Sequence, residues 1–297
     1  MKFLLKYFFL IFYCGIQLGT AQEKEKDHLM LARSDYSFKE TASRLAKTLE
    51  QHNTFTFFSK IEHSKEAKKA GLELSENLLL IFGDPKQGSL LMQKDQLAGL
   101  ELPLKILVYK QDNQTIITYS STNYLKQRYD LRKNKDLGNL SKTLKSIVSK
   151  TAGNRVKSSG KLKLKKHQGI ISEISEFNFN ATYNRLVTAI KENPDLQIFM
   201  ELDHFKNAEE INIGLRPTKL IIFGSPKIGT PIMKENSKIA LELPIKFLVW
   251  RDEAGVVKIS YNDPVFLAKR FKLTKNLPQL SAMKNALEEL SGNVAKY

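Results

Sequence analysis

Cysteine is nearly absent from this sequence of 297 residues, whose single example is Cys14. Cys14 lies in an apolar stretch close to the N-terminus, and no cysteine follows it. The chain after this residue therefore forms no internal disulfide, carries no thiol nucleophile and binds no metal through thiolate ligands.

The familiar catalytic signatures are also missing. The sequence contains no G-x-S-x-G elbow, no H-E-x-x-H zinc motif, no G-x-G-x-x-G dinucleotide fingerprint and no paired-carboxylate signature. These absences argue against the common serine hydrolases, zinc peptidases and dinucleotide-dependent oxidoreductases. No cofactor is predicted.

The first 21 residues have the composition of an export signal. Lys2 and Lys6 precede an apolar run over residues 7–16, and small residues at 19–21 suit a signal peptidase. We expect residues 1–21 to be a cleaved signal peptide and the protein to be exported to the periplasm or the extracellular space. No transmembrane segment is expected after cleavage.

Two alternatives for this N-terminal segment remain open. The first is an uncleaved membrane anchor, which the polar residues at 17–20 disfavour because a span needs about 20 apolar residues. The second is a lipoprotein anchored at Cys14, which the bulky Tyr13 disfavours.

Positive charge exceeds negative charge, with 47 Lys and Arg against 31 Asp and Glu, a formal net charge of +16. The densest basic segment lies within residues 151–168, which we interpret as a solvated linker. Its basic residues are Arg155, Lys157, Lys161, Lys163, Lys165 and Lys166. No aromatic residue interleaves with them to stack on bases, so no nucleic-acid partner is expected. The alternative is a scaffold that binds anionic surfaces.

The sequence contains an internal duplication, in which equivalent residues are 141 positions apart. Between His63 and Val108, 19 of 46 positions are identical to those of the segment that begins at His204. Repeats of this length are whole domains. We therefore predict a first domain over residues 22–150 and a second over residues 169–297.

Periodicity within a repeat predicts helices interspersed with strands. In the first repeat we expect strands at 29–37, 54–61 and 78–82, a hairpin over 104–109 and 115–119, and helices at 39–51, 65–70, 122–130 and 137–150. The predicted fold class is α+β. It consists of two similar two-layer α/β sandwich domains with mixed, largely antiparallel sheets.

A glycine-containing loop occurs in both repeats, as IFGDPKQGSLLM at 81–92 and IFGSPKIGTPIM at 222–233. Its glycines are Gly83, Gly88, Gly224 and Gly229. Such loops can cradle phosphate, but the phosphate-loop lysine is missing. In each copy an N-cap residue and a proline follow the first glycine, which favours the start of a helix. The glycines are kept as candidate ligand-binding residues.

Each repeat also carries one histidine at a strand end, His63 or His204, and a methionine, Met92 or Met233. A His/Met pair suits copper(I), whose soft character matches a thioether. One histidine per domain is weak evidence for metal. The competing interpretation is that Met fills the core and His caps the following helix.

The remaining candidate residues are polar groups that both copies retain. They are Glu101, Lys105 and Tyr119 in the first repeat and Glu242, Lys246 and Tyr261 in the second. A lone carboxylate is a general acid or base only if its pKa is perturbed. An ion pair with a neighbouring lysine, or with Arg44 or Arg185, is the simpler expectation.

Four sequence blocks resemble those of the bacterial family named domain of unknown function 302. The blocks are (D/E)-H, I-F-G-x-P-x-x-G-x-x-x-M, L-P-(L/I)-K-x-L-V and S-Y-N-D-P-x-x-L-A-x-R-(F/Y). The second repeat carries all four, at 203–204, 222–233, 243–249 and 260–271, whereas the first loses Asp-Pro in the last block, at 118–123. The resemblance implies a compact α/β fold that tends to pair, here as a pseudo-dimer of the repeats with a possible homo-oligomer. It implies no established activity.

The sequence thus favours an exported, non-enzymatic protein that binds a small ligand or ion near the residues shared by both copies. The main alternative is a hydrolase or metal-dependent enzyme that uses His63 or His204 with Glu101 or Glu242. The ligand itself is not predicted.

Overall fold

A continuously apolar strand forms the middle of each repeat. Asn77–Gly83 and Thr218–Gly224 are buried along nearly their whole length, because each has a neighbouring strand on both sides and side chains packed on both faces. The computed structural model describes residues 27–160, 163–273 and 277–296. The expected signal peptide, Cys14 and Lys161 lie outside these residues.

The first domain contains six strands and five α-helices among the described residues. The elements are β1 (Leu29–Ser34), α1 (Phe38–Glu50), β2 (Thr56–Glu62), α2 (His63–Lys69), β3 (Asn77–Gly83), α3 (Pro85–Lys94), β4 (Leu104–Gln111), β5 (Gln114–Ser120), α4 (Thr122–Arg128), α5 (Asp136–Ala152) and β6 (Lys157–Ser158). A 3-10 helix, Gln96–Leu100, follows α3.

The second domain repeats this order. Its elements are β7 (Ile170–Ile174), α6 (Phe179–Glu192), β8 (Gln197–Asp203), α7 (His204–Glu209), β9 (Thr218–Gly224), α8 (Pro226–Glu235), β10 (Ile245–Arg251), β11 (Val257–Asn262), α9 (Pro264–Arg270) and α10 (Pro278–Ala295). Its 3-10 helix is Ser237–Leu241.

The two sheets have matching strand orders. The first is β2-β3-β4-β5-β1-β6 and the second is β8-β9-β10-β11-β7 when read in the same direction. Every strand pairing in the described part of the chain is antiparallel. The predicted α+β duplication with largely antiparallel sheets is confirmed.

The glycine loop starts a helix in both domains, as its sequence predicts. Asp84 is the N-cap of α3, where its carboxylate accepts a hydrogen bond from the backbone N–H of Gln87, and Pro85 is the first helical residue. Ser225 occupies the same position before α8, but its side chain makes no capping hydrogen bond. In the second domain, therefore, the start of the helix depends on Pro226 without a side-chain cap, whereas in the first domain Asp84 and Pro85 act together.

Each sheet is covered on one face by helices of its own domain. In the first domain α1 and α5 bury residues such as Leu80, Phe82 and Val108. The opposite face meets the other domain, because the 3-10 helix of each domain packs on the sheet of its neighbour. One hydrophobic core therefore runs from the first sheet into the second domain.

The segment between the repeats is partly packed on the protein. Helix α5 continues to Ala152, β6 adds a short strand beside β1, and Leu164 is buried. His167 contacts the Asp95 carboxylate through Nε2 at 2.6 Å. The basic residues of this segment that the structure describes are all exposed, namely Arg155, Lys157, Lys163, Lys165 and Lys166. No helix in the described ranges combines the length and apolar character required to cross a membrane.

Candidate ligand sites at the domain interface

The histidine of each repeat lies at the start of a helix that packs against the other domain. His63 is the first residue of α2, which packs on α8 of the second domain, and His204 is the first residue of α7, which packs on α3 of the first domain. Both side chains are buried, at 4% and 5% exposure. Neither histidine is the helix cap that the sequence suggested, since Glu62 and Asp203 occupy the N-cap positions.

Two cavities lie where a histidine of one domain meets the glycine loop of the other. The first has a volume of about 210 Å³, and its lining includes Gly83, Gly88, Met92 and His204. The second has a volume of about 70 Å³. Its lining includes Gly224, Gly229, Met233 and His63. Each cavity is thus lined by residues of both domains, with the glycine loop from one domain and the histidine from the other.

Both imidazoles are uncharged at neutral pH. Burial lowers the pKa of His63 to about 4, although the backbone of Ala240 and the carboxylate of Glu66 act in the opposite direction. Burial likewise lowers the pKa of His204 to about 4, against Asp203 and the backbone of Leu102. A neutral imidazole offers one N–H donor and one nitrogen acceptor.

The Nε2 atoms of both histidines make no hydrogen bond of normal geometry. The backbone of Ala240 and Leu243 near His63, and that of Leu102 and Gly99 near His204, raise the pKa of each imidazole against the larger effect of burial. The hydroxyl of Thr230 in the second cavity is also buried without a partner, whereas the matching Ser89 donates to the Pro85 carbonyl at 2.8 Å. Buried polar atoms without partners are uncommon in folded proteins, and these three belong to residues that line the two cavities.

The repeated glutamates lie apart from these cavities, in an ionic cluster at the domain interface. Glu101 is 4% exposed, and its Oε1 accepts from Arg128 Nη1 at 2.8 Å. The same oxygen accepts from the Tyr129 hydroxyl at 3.3 Å and from the amide of Asn262, in the other domain, at 3.4 Å. Glu101 therefore joins the two domains through charge and hydrogen bonds.

Glu242 occupies the equivalent place in the second domain. Its carboxylate contacts Arg270 at 2.6 Å, Lys246 at 2.8 Å and Lys105, from the first domain, at 3.7 Å. The cations outweigh the effect of burial and hold the pKa of Glu242 far below its usual value. Both carboxylates are thus ionised, since the pKa of Glu101 is lowered as well.

Two arginines link the halves of the cluster reciprocally. Arg128 donates to the Asn262 side chain at 2.9 Å and to the Gly169 carbonyl at 3.0 Å. Arg270 donates to the Ser120 hydroxyl at 2.7 Å, and its guanidinium lies 3.9 Å from the centre of the Tyr124 ring. Since Ser120 and Asn262 are equivalent in the repeat, the contacts follow an approximate two-fold relation.

The two lysines of the cluster influence each other. Burial and the neighbouring Lys105 lower the pKa of Lys246 to about 8, against the attraction of Glu242. The pKa of Lys105 is raised, because Glu242 and Glu101 outweigh its burial. The two amino groups titrate as a coupled pair, so the lowered pKa of about 8 describes loss of the first proton from the pair.

The predicted site residues therefore separate into three groups. The histidines, methionines and loop glycines line the cavities, and the glutamates and lysines form the ionic cluster. Tyr119 and Tyr261 lie in the hydrophobic cores and line neither cavity. The described residues contain no group of three or more His, Cys, Asp and Glu that could hold a metal ion. Ligand binding by any of these residues stays a prediction.

Sequence reasoning missed the arginines of the cluster. Arg44 contacts Glu40 on the surface and Arg185 donates to the Val294 carbonyl, so neither pairs with the glutamates as expected. The partners are Arg128 and Arg270. Their identity at equivalent positions of the repeat was the available signal, but nothing in the sequence showed that they reach the glutamates.

Comparison with known proteins agrees with the duplication. A family model described as "Domain of unknown function DUF302" matches residues 31–150 and 171–295. A crystal structure of an uncharacterized conserved DUF302 protein from Bacillus stearothermophilus is similar at 17% sequence identity and a TM-score of 0.35. The similarity covers 42% of this chain and 96% of that one.

Two curated relatives are named fluoride-specific ion channel FluC 1. The protein of Brucella suis is 38% identical over 129 residues, which cover 43% of this chain and 49% of the relative. The protein of Brucella abortus is also 38% identical over 129 residues, covering 43% of this chain and 46% of the relative. This chain thus spans about half the length of the curated relatives that it matches.

Proposed function

This chain belongs to the DUF302 family, and we propose that it is an exported, non-enzymatic protein that binds small ligands in two cavities between its domains. The observation that carries this proposal is that His63 and His204, whose buried Nε2 atoms have no hydrogen-bond partner, each line a cavity built with the glycine loop of the opposite domain. The export-signal pattern that the sequence predicts at residues 1–21 supports the proposed location.

The larger cavity favours a small, mainly apolar ligand with one polar group. Phe55, Phe58 and Leu140 contribute apolar surface, and His204 contributes a neutral nitrogen. Ligand sites commonly combine apolar walls with a few polar groups that orient the ligand. The smaller cavity has about one third of this volume, so we expect the first cavity to take the larger ligand.

The ionic cluster disfavours the alternative of a hydrolase. Glu101 and Glu242 have lowered pKa values and line neither cavity, so neither can act as a protonated carboxylic acid beside the histidines. A general acid or base needs both a matched pKa and reach to the reacting group. The arrangement therefore supports binding better than acid–base catalysis.

The relatives named as fluoride channels align with this chain over 129 residues, which is close to the length of either matched region. We propose that the shared stretch is one DUF302 domain. The activity in their name belongs to those proteins, and it is not part of the proposed function here.

Phenol and toluene together test the proposal. Both rings suit the apolar wall of the larger cavity, but only phenol can donate a hydrogen bond to an imidazole nitrogen. In His204→Phe, which keeps a planar ring, we expect phenol affinity to fall about twofold to tenfold, as one hydrogen bond of about 0.5–1.5 kcal/mol implies. Toluene affinity should stay unchanged. Titrations followed by NMR chemical shifts give both affinities.

His52→Phe is the matched control, because His52 also lines the larger cavity but its Nδ1 lies 3.2 Å from the Thr54 hydroxyl. This variant should keep the wild-type preference for phenol over toluene. The proposal fails if the wild-type protein binds neither probe saturably, or if His204→Phe leaves the ratio of the two affinities unchanged.

A further inference from the structure

Two of the four edges of the two sheets are interrupted within their own strand. An edge strand presents unpaired backbone N–H and C=O groups, which invite pairing with another strand, and a bulge is one device that prevents this. The pairing register of the edge strand β2 shifts between Phe57 and Ser59, and that of the edge strand β8 shifts between Ile198 and Met200. Neither β2 nor β8 therefore offers a regular outer edge.

The other two edges differ between the domains. In the first domain β6 pairs with β1, and the Ser159 N–H donates to the Leu29 carbonyl at 3.0 Å. This edge is short and includes the exposed Lys157, and both features discourage further pairing. In the second domain no strand of the described chain lies on the outer side of β7, the equivalent of β1. The register of β7 with β11 is continuous from Ile170 to Ile174, so this edge is regular and uncovered.

The backbone groups of β7 that face outward follow from its pairing with β11. Gly169 and Ser175 flank β7 on either side, and each makes a backbone hydrogen bond of 2.9 Å towards β11. Because alternate residues of a strand direct their N–H and C=O groups to the same side, the odd-numbered residues between them also face β11. The backbone groups of Ile170, Ser172 and Ile174 therefore face away from the sheet.

This outward row is exposed and only partly hydrogen-bonded. Ile174 is 61% exposed, and Ser172 is exposed as well. The Ile170 N–H already donates to the His167 carbonyl at 3.1 Å. The N–H groups of Ser172 and Ile174 have no partner within the described ranges. The edge therefore offers N–H groups, carbonyls and an apolar side chain to an incoming strand.

A second copy of β7 complements this edge when the two Ser172 residues lie opposite each other. In this antiparallel register each Ser172 N–H donates to the Ser172 carbonyl of the other copy, and each Ile174 N–H donates to the Ile170 carbonyl of the other copy. The exposed Ile174 side chain lies opposite Ile170, which gives it an apolar neighbour.

The acidic residue of β7 also favours this register. Glu173 lies opposite Ile171 of the second copy, so the two carboxylates do not face each other. A register centred on Glu173 places the like charges directly opposite, which is destabilising. The same few residues thus supply both halves of the match, and this self-complementarity favours a second copy over an unrelated strand.

We propose that the protein forms a two-fold symmetric dimer in which the β7 strands of two copies pair and join two five-stranded sheets into one continuous sheet. No residue of β7 lines either cavity between the domains. Dimerisation and ligand binding can therefore be tested separately, and failure of one proposal leaves the other standing.

Sedimentation equilibrium over a concentration series tests the dimer. Wild-type protein should dimerise reversibly. Ile174→Lys should raise the dissociation constant of the dimer at least about tenfold, because a charged side chain on an edge strand opposes pairing. The matched control is Val265→Lys, which adds the same charge at a residue of α9 that is 59% exposed. This control should dimerise like the wild type.

Ile174→Pro provides an independent variant if Ile174→Lys does not fold. Proline removes the outward N–H, at an edge position where a strand tolerates it, and should also weaken the dimer. Hydrogen exchange of the wild-type amides gives a second readout. Exchange at Ser172 and Ile174 should slow as the protein concentration rises, whereas exchange at Ile170, which is already hydrogen-bonded, should change least.

Three results overturn the proposal. The first is wild-type protein that stays monomeric at millimolar concentration. The second is a dimer that persists unchanged in a folded variant at Ile174. The third is a dimer that forms without slowing amide exchange at Ser172 and Ile174, which places the interface elsewhere.

Discussion

Neutralisation of Glu242 should be among the most destabilising single changes in this protein. Glu242 is 1% exposed and contacts Arg270 at 2.6 Å and Lys246 at 2.8 Å. Glu242→Gln keeps the size of the side chain but leaves four cations, Arg128, Arg270, Lys105 and Lys246, to the single carboxylate of Glu101, which raises the excess positive charge of the cluster from two to three. Breaking a buried ion pair from one side costs about 3–5 kcal/mol.

Urea unfolding at pH 7 measures this loss directly, as a lower transition midpoint at similar denaturant dependence. The matched control is Glu40→Gln, since Glu40 forms a surface pair with Arg44 at 3.4 Å and both side chains are about half exposed. Exposed pairs contribute roughly 0–1 kcal/mol. The two variants should therefore differ by at least about 2 kcal/mol on these magnitudes.

The pH dependence gives this prediction a second test. The pKa of Glu242 is lowered in the folded state, so the carboxylate stabilises the protein above its ordinary pKa of 4.5, and this contribution is lost as pH falls towards the folded pKa. The difference between wild type and Glu242→Gln should thus be full at pH 7 and shrink below about pH 4.5. Equal costs for Glu242→Gln and Glu40→Gln, or a difference that grows in acid, would refute the reasoning.

Two further predictions concern the helix starts and the histidines. Asp84→Ala should lower the free energy of unfolding by about 1 kcal/mol, as loss of an N-cap does. Ser225→Ala should lower it by less, because Ser225 makes no capping hydrogen bond. Parallel urea titrations of the two variants measure both changes. His63 and His204 should titrate in the folded protein with a pKa of about 4, measured by NMR. Because the unfolded chain binds these protons near pH 6.5, stability is full above that value and falls as pH drops towards 4, by about 3 kcal/mol per histidine. Titration of either folded histidine near pH 6.5 would contradict the burial argument.

The fold could be predicted from the sequence because its signals are local and occur twice. The apolar runs of β3 and β9, the turn between β4 and β5, and the Asp84-Pro85 helix start each show in a few consecutive residues. A helix or strand that is poorly defined by the sequence of one repeat can be assigned from the equivalent residues of the other. The predicted elements of the first repeat accordingly agree with the observed ones to within about three residues.

The candidate sites could be predicted only in part, because they depend on how the domains pack against each other. The sequence places His63 eighteen residues before its own glycine loop, yet His63 lies beside the loop of the other domain. Similarly, nothing local connects Arg128 with Asn262, which are 134 residues apart. Periodicity reports which face of an element is buried, but it does not report what covers that face.

Duplication within one chain allows the two halves of the interface to differ where a dimer of identical domains could not. Tyr124 and Tyr129 of the first repeat correspond to Phe266 and Phe271 of the second, so only Glu101 receives tyrosine hydroxyls. Glu242 depends instead on the short contact with Lys246 and on Lys105 from the other domain. Lys246 therefore lies against the second carboxylate, whereas Lys105 lies between the two carboxylates, 3.5 Å from Glu101 and 3.7 Å from Glu242. The cavities differ in the same way, at about 210 and 70 Å³. A symmetric pair of identical domains would present the same cavity and the same carboxylate environment twice, whereas the two copies within this chain differ in both.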